Sequence, residues 1–418
     1  MEHDVYPSIK RVAVLALLAG TLGPAHADEL TFARTLDLAQ QHSSALSAHQ
    51  AAVRAAEYET RAAGQLPDPK LTVGIDNYPV SGPNRGSLEA DFMTMRKLGL
   101  MQDVPTASKR EAAREAAQAG VASAESSVRI ARWRLRVAAA QAWLVQHHLE
   151  RQIEQFAALQ RLDASALELA RASLAGGRGE AVDALDAAME ISRLDEQRDD
   201  LQRDLAKARA ALRALIGDDA SGDTTGVVPD LGGITASLGE QLERHPELRA
   251  YAAMQSLADA DVHAARAAKD QDWSVELSYA RRGQQFGDMV SVQFTLALPI
   301  FAADRQDPRI AASFEQRQRV DDERDALRRE RRSELEADLA DYERLQRQLE
   351  RSAQSGLTLA EQRVDLTTAA FSAGKAPLAR VIAARRELLE HHLRVITLES
   401  QRDVIAAKLH FTYVEDMP

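Results

Sequence analysis

A chain of 418 residues with 52 Lys and Arg against 63 Asp and Glu has a formal net charge of -11. That balance argues against a nucleic-acid partner, because phosphate binding needs a basic surface. Cysteine is absent, which excludes disulfides, thiolate metal sites, a Cys nucleophile and a Cys-borne lipid anchor.

Hydrophobic residues make up 45% of the chain, aromatics only 5% and charged residues 28%. This is the composition of long, solvated helices rather than of a thick globular core. At the N-terminus, Lys10-Arg11, the apolar run 12–20 and Ala25-His26-Ala27 follow the basic, hydrophobic, small-x-small order of a signal peptide, so residues 1–27 are expected to be removed. The run is about half the roughly 20 residues that a membrane-spanning helix needs. No other stretch approaches that length, so any membrane entry is expected to occur without a hydrophobic helix.

Residues 30–65 read as two short helices, stopped by Leu66-Pro67-Asp68-Pro69 because a residue before Pro is pushed out of the helical region. Strand patterns follow at 71–78 and 88–104 around the turn chemistry of 79–86, and again at 273–281 and 289–298 around Arg282-Gly283-Gln284-Gln285-Phe286-Gly287-Asp288. Each is near the ~10 residues with which a tilted strand crosses a bilayer. Four such strands cannot close a barrel alone, since an open edge in lipid leaves backbone groups unpaired. Several chains would have to share one barrel; two hairpins packed on helices in a soluble protein is the alternative.

Residues 108–174 contain no Pro and a single Gly, and as one helix would extend roughly 100 Å. Val121, Val128, Leu135, Ala142, Leu149 and Phe156 recur every seventh residue, with Ala124, Ala131, Ala138 and Val145 between them, a coiled-coil register. A second long helix is expected over about 309–371, with a thinner stripe at Leu335, Leu339, Tyr342, Leu345 and Leu349. Shorter helices return over 181–216 and about 378–413, making each Gly-centred loop a helical hairpin tip.

The chain states this plan twice. Asp68-Pro69-Lys70-Leu71-Thr72-Val73 opens one strand pair and Asp270-Gln271-Asp272-Trp273-Ser274-Val275 the other, closed by Val104-Pro105 and Leu298-Pro299. Residues 169–185 (LARASLAGGRGEAVDAL) match 366–382 (LTTAAFSAGKAPLARVI), placing Leu174 over Phe371, Gly177 over Gly374 and Arg178 over Lys375. The organisation expected is a first repeat at 28–216, a Gly-, Asp- and Thr-rich linker at 217–233 and a second repeat at 234–418.

Residues with possible chemistry have plainer explanations. Met93, Met95 and Met101 are thioethers suited to Cu(I), yet their even spacing is that of ordinary side chains on one strand face. Neighbours in His147-His148 and His391-His392 point about 100° apart on a helix and form no chelate, so solvated helix faces are expected for them. Trp133 and Trp143 are expected to pack between helices. Asp199-Asp200 and Asp321-Asp322 fit charged helix surfaces, and no phosphate loop, metal-binding helix motif or nucleophile elbow occurs. Neither a cofactor, a resident metal nor an enzyme activity is expected.

Taken together, these features resemble the outer-membrane factor family of tripartite efflux systems, the TolC-like channels, over the whole mature chain. Within it, residues 71–80 and 91–105 look most like the heavy-metal branch serving copper, silver or cobalt-zinc-cadmium pumps. The resemblance implies a mainly α fold with a small β part: a long coiled-coil helical barrel, and four strands per protomer pooled into a trimeric outer-membrane β-barrel. It implies a homotrimer in contact with outer-membrane lipid, docked on a periplasmic adaptor and an inner-membrane proton-driven pump of the RND type, and acting as a passive exit duct for metal cations. The same duct for drugs or a secreted polypeptide, and a periplasmic coiled-coil scaffold without a pore, are the alternatives.

The family's tip motif, Gly followed six residues later by Asp-x-Leu-x-Ala, maps onto Gly177, Asp183, Leu185 and Ala187, beside Arg178. At the second tip Gly374, Leu378, Val381 and Ile382 keep the residue types, beside Lys375, but Arg380 stands where the first tip has Asp183. Both tips are implied to face the adaptor; the departure at Arg380 argues against simple two-fold equivalence of the tips, and Asp183 and Arg380 are expected instead to pair across a closed entrance.

Overall fold

The computed structural model describes residues 30–177, 180–217 and 222–414; the expected leader lies outside them. Helices α1 (Phe32–His42) and α2 (Ser44–Ala62) begin at Thr31 and Ser43, whose hydroxyls accept the N–H groups of Arg34 and Leu46. These caps satisfy donors that a helix start leaves over.

Strands β1 (Lys70–Asp76) and β2 (Met95–Val104) form the first hairpin. Its second strand begins at Met95 and not near residue 88, because 77–94 form turns that satisfy their own polar groups. Gly86 N–H donates to the Pro79 carbonyl at 2.9 Å, Tyr78 Oη to the Gly86 carbonyl at 3.1 Å, and Met93 N–H to the Asp91 carboxylate at 2.8 Å. Met93 therefore stands before the strand, exposed, and does not share a strand face with Met95 and Met101 as its spacing suggested.

Helix α3 (Ala107–Ala175) runs 69 residues unbroken and α4 (Ala181–Ile216) returns along it. After a 3-10 turn at Ala236–Arg244, α5 (Pro246–Ala267) leads into β3 (Trp273–Arg281) and β4 (Met289–Leu296). The four strands form one antiparallel sheet in the order β1-β2-β3-β4.

The second long helix differs from the expectation at both ends of its course. α6 (Ala302–Arg351) starts ahead of 309, with Pro308 in its second turn, where the ring forgoes one backbone bond. It then gives way to a π turn at Ser352–Gly356 before α7 (Leu357–Ser372), so 309–371 is not one α-helix. Two Ser and a Gly weaken the helix there, and Gly356 lies so close to the His391 ring that a Cβ would stand 3.2 Å from Nδ1. α8 (Leu378–Leu409) closes the fold, with a π turn at His410–Val414.

The cores are small and strung along the helices. One gathers Leu36 and Ala39 of α1, Ala139, Ala140, Trp143 and Leu144 of α3, Leu212 and Ile216 of α4, and Ala407 and Phe411 near the chain end. Trp143 is fully buried, and its Nε1 donates to the Leu30 carbonyl at 2.8 Å, while Trp133 Nε1 lies 3.1 Å from Thr412 Oγ1. Both Trp pack between helices, as expected.

The heptad period of α3 is right, but its register is displaced. Of the ten seam positions expected, only Phe156 is buried within the chain, and Val145 is exposed. Toward the tip the buried positions are Gln152, Phe156, Leu159, Asp163, Ala166 and Ala170, in the 4-3-4-3-4 spacing of a coiled-coil seam, whereas Ala139, Ala140, Trp143, Leu144, Gln146 and His148 before them follow no such spacing. The upper part of α3 packs on α1, α2, α5 and α8 together, so its buried surface is no single stripe. In α6 the expected stripe holds: Leu335, Leu345 and Leu349 are buried, with Leu339 packed beside them.

Candidate functional site: an open amphipathic sheet and two helical tips

Alternation along each strand sorts the sheet into two chemically opposite faces. Across the ladder, Val73 stands beside Leu98, which faces Tyr279 and then Val290; Leu71, Leu100, Leu277 and Val292 form the next row. Trp273, Val275, Phe294 and Leu296 continue the face toward the helices. These side chains project into solvent within one chain, with Val73 73% and Phe294 65% exposed. An apolar surface this continuous needs an apolar medium. Among the described residues no helix is long and apolar enough to cross a membrane.

The opposite face is polar: Thr72 and Asp76 on β1, Lys97 and Gly99 on β2, Ser274, Glu276 and Ser278 on β3, Ser291, Gln293 and Thr295 on β4. Two ion pairs lie diagonally across it, Lys70 Nζ to Asp103 Oδ2 at 2.6 Å and Lys97 Nζ to Glu276 Oε1 at 2.8 Å. Met95 and Met101 share this face, at opposite ends of β2. Ser274, Ser278 and Ala280 are buried while Leu277 and Tyr279 are exposed, so the sheet curls with its polar face inward. Among the described residues, strands β1 and β4 have no neighbour on their outer sides, leaving unpaired edge groups.

At the far end of the long helices the two tips obey one pattern at a constant offset of 197 residues. Gly177 N–H donates to the Leu174 carbonyl at 3.0 Å, and Gly374 N–H to Phe371 at 2.8 Å. The next bonds correspond too: Gly176 to Ala172 with Ala373 to Ala369, and Asp183 to Glu180 with Arg380 to Pro377. The returning helices start at the equivalent residues Ala181 and Leu378. Gly177 at φ 71° and Gly374 at φ 68° adopt the left-handed conformation that ends a helix. At the second tip, Lys375 N–H reaches the Ala370 carbonyl at 2.8 Å, completing a Schellman motif. Arg178, its counterpart, lies outside the described residues.

The tip residues singled out in the sequence divide by depth. Leu378 and Ile382 are buried with Val381 against Ala166, Ala170 and Ala187, so they join the two hairpins from within. Leu185, Lys375 and Arg380 are exposed and Asp183 is half-buried. Among the described residues no ion pair joins Asp183 to Arg380 within one chain. What the sequence reading missed is an outward stripe on α4 of Val182, Leu185 and Met189, together with Leu162 and Leu169 on α3 and their offset equivalents Leu359 and Leu366 on α7. The signal was present as leucines seven apart in both repeats.

The histidine doublet 147–148 is not solvated as expected. His148 is buried with Nε2 2.9 Å from Asp403 Oδ2, whose other oxygen accepts Arg402 Nη2 at 2.6 Å. His147 stacks on Trp143 at 4.8 Å and meets Thr224 Oγ1 at 3.0 Å. Burial lowers His147 to about 4, with His148 and Arg151 adding to the shift and Asp403 opposing it. The physical reason is lateral packing: α3 is covered here on several sides, which an isolated helix pattern does not reveal. Nearer the tip, buried Asp163 is pushed up to about 6 by burial, against the pull of Arg385 and with the aid of Glu190. Among the described residues no group of three or more His, Asp or Glu is arranged to hold a metal ion.

The chain resembles solved channels over nearly its full length. It shares 19% identity with CusC, at a TM-score of 0.75 over 91% of each chain. With VceC of Vibrio cholerae it shares 20%, at 0.74 over 91% of this chain and 96% of that one. With the open state of MtrE of Neisseria gonorrhoeae it shares 15%, at 0.73 over 91% and 88% respectively. No curated protein sequence matches it significantly. The model of the family described as outer membrane efflux protein matches residues 35–218 and 238–412, one stretch for each repeat. The chain therefore belongs to the outer membrane efflux protein family, as a channel of the outer membrane with a periplasmic helical part, and is not an enzyme.

Proposed function

We propose that three copies of this chain pool their sheets into one barrel and form the passive exit duct of a tripartite efflux system for heavy-metal cations. The observation that carries the duct is the open amphipathic sheet, apolar outside, polar inside and unpaired at β1 and β4. Edge groups left in lipid cost several kcal/mol each, so pairing β4 of one copy with β1 of the next is the economical closure. The cation reading rests on the net charge of -11 and on the resemblance of 71–80 and 91–105 to the heavy-metal branch. Transport energy comes from an inner-membrane RND pump joined through a periplasmic adaptor.

The tips are the docking and gating end in this reading. Leu185, with Val182 and Met189, offers the adaptor an apolar stripe, while Gly177, Gly374 and Lys375 shape the turns, and Arg178 is proposed as a further adaptor-facing residue. Leu378 and Ile382 hold the hairpins together beneath it. Asp183 of one copy and Arg380 of the next close the entrance. In a bilayer recording, Asp183→Ala with Arg380→Ala should raise conductance; an unchanged closed channel would remove this gate.

The cargo is tested by growth of a strain lacking the gene, with and without its restoration. The panel is copper, silver, zinc, cobalt and cadmium beside dyes and detergents. Sensitivity confined to a metal set supports the reading. Sensitivity to organic compounds alone keeps the duct and overturns the metal assignment.

A further inference from the structure

The apolar face of the sheet ends, on the side of the 77–94 and 282–288 loops, in two arginines. Arg96 of β2 and Arg281 of β3 are direct ladder partners, flanked on the same row by Ile75 of β1. The row beneath them is Leu98 and Tyr279, the start of the membrane-facing surface. Like charges placed directly opposite in a ladder repel, and little here relieves them. Arg281 makes no ion pair or hydrogen bond with the described residues, and Arg96 has only a 3.6 Å contact with Glu89.

The acidic groups nearby are occupied otherwise. Asp91 accepts the Met93 N–H, and Asp288 accepts the Tyr279 hydroxyl. Tyr279, Phe92 and Phe286 ring the same margin, the last two 6.5 Å apart, and aromatic rings gather where a membrane meets its head groups. From Trp273 to Arg281 the nine residues of β3 span roughly 26 Å along the strand. Tilted by the ~35–45° of such barrels, that length covers about 20 Å of depth, most of the ~25 Å apolar band, and the long arginine side chains at its end reach toward the head groups.

We propose that Arg96 and Arg281 together bind the phosphate of an outer-leaflet lipid head group. Two planar guanidiniums on adjacent strands supply converging donors that match phosphate oxygens, which an ammonium would meet only as a point charge. The bound anion removes the repulsion between them and fixes the depth of the barrel. The proposal rests on the sheet meeting lipid and is independent of the cargo.

The test uses the full chain, reconstituted in zwitterionic lipid nanodiscs, with bound lipid A counted by native mass spectrometry against dephosphorylated lipid A. Wild type should prefer the phosphorylated form by at least about tenfold, the order expected of two basic residues at a membrane surface. Arg96→Gln with Arg281→Gln should bring that ratio close to one, whereas Arg347→Gln on α6 should leave it unchanged. Equal retention of both lipids by wild type overturns the proposal without needing any variant to assemble. So does a preference that survives the double substitution. Full displacement of lipid A by millimolar inorganic phosphate would overturn the lipid assignment and leave a free-anion site. A wild-type chain that fails to enter the nanodisc would instead refute the barrel.

Discussion

The ammonium of Lys97 lies 2.8 Å from the carboxylate of Glu276, and it does so across a residue with no side chain. A Cβ on Gly99 would stand 2.6 Å from Glu276 Oε1. Glycine in a strand interior commonly marks such a close approach, and here it lets a diagonal ion pair lie flat on the polar face.

In a closed barrel this pair sits on the inner wall, so removing one partner exposes the other to the ions that pass. Lys97→Gln should shift the reversal potential in a salt gradient toward cations, and Glu276→Gln toward anions. Gly99→Leu should resemble neither, because it separates both charges while keeping them. Identical shifts from the first two would show that the pair does not face the ion path.

The two glycines of the first tip should respond unequally to alanine. Gly177 has φ 71°, whereas Gly176 has φ -79°. No atom lies within 4 Å of a Cβ built on Gly177, so its cost is conformational alone. Gly177→Ala should destabilise by about 1–2 kcal/mol and Gly176→Ala by far less, read as melting temperatures in detergent. Equal losses would place the constraint in packing.

The pH dependence of stability follows from three groups, buried Asp163 and His245 and half-buried His147. Asp163 is raised to about 6, and His147 and His245 are each lowered to about 4, all mainly by burial. His245 accepts the Glu247 N–H at its Nδ1, 3.2 Å away, as a neutral ring must. Between about pH 4 and 6 the folded chain holds an extra proton at Asp163 and lacks one at each histidine. The net deficit is one proton, so stability should rise with pH by about 1.4 kcal/mol per unit across that window.

Asp163→Asn isolates the opposing member. A carboxyl raised by burial penalises the fold once it ionises, so the penalty is absent near pH 4 and complete above 6. The substitution should stabilise at pH 7.5 by up to about 3 kcal/mol and hardly at all at pH 4. A uniform shift across pH would assign the effect to hydrogen bonding.

Trp143→Phe should cost about 0.5–1.5 kcal/mol through the lost bond, because the buried Leu30 carbonyl loses its indole donor but keeps the Thr225 N–H at 3.2 Å. Trp133→Phe is the companion measurement, since its Nε1 partner Thr412 also donates to the Lys408 carbonyl and stays satisfied. The smaller loss should be at Trp133, which is 9% exposed where Trp143 is fully buried.

Much of this architecture was legible because local chemistry and tertiary structure agree. The tips are fixed by Gly177 and Gly374, whose left-handed backbone is a local demand, and α4 spans the 181–216 expected of it. Strand β3 likewise matches 273–281, where alternation and burial coincide. Legibility failed where neighbours distant in sequence decide. His148 looked solvated until Asp403, 255 residues away, supplied its partner. The displaced seam of α3 has the same origin, and at the π turn Gly356 lies against His391, 35 residues on, a contact no local pattern reveals. In the candidate site, the residue types at the tips were readable, but not that Leu378 and Ile382 point inward while Leu185 points out.

The unpaired edges of β1 and β4 carry a genetic consequence. A copy with one spoiled edge can still offer its other edge to a normal neighbour, and so ends the ring it enters. In a cell making both kinds, the fraction of sound barrels, if three copies close one as proposed, falls as the cube of the normal share. An edge-strand allele should therefore be dominant over the wild type, whereas an allele that merely unfolds the chain should be recessive.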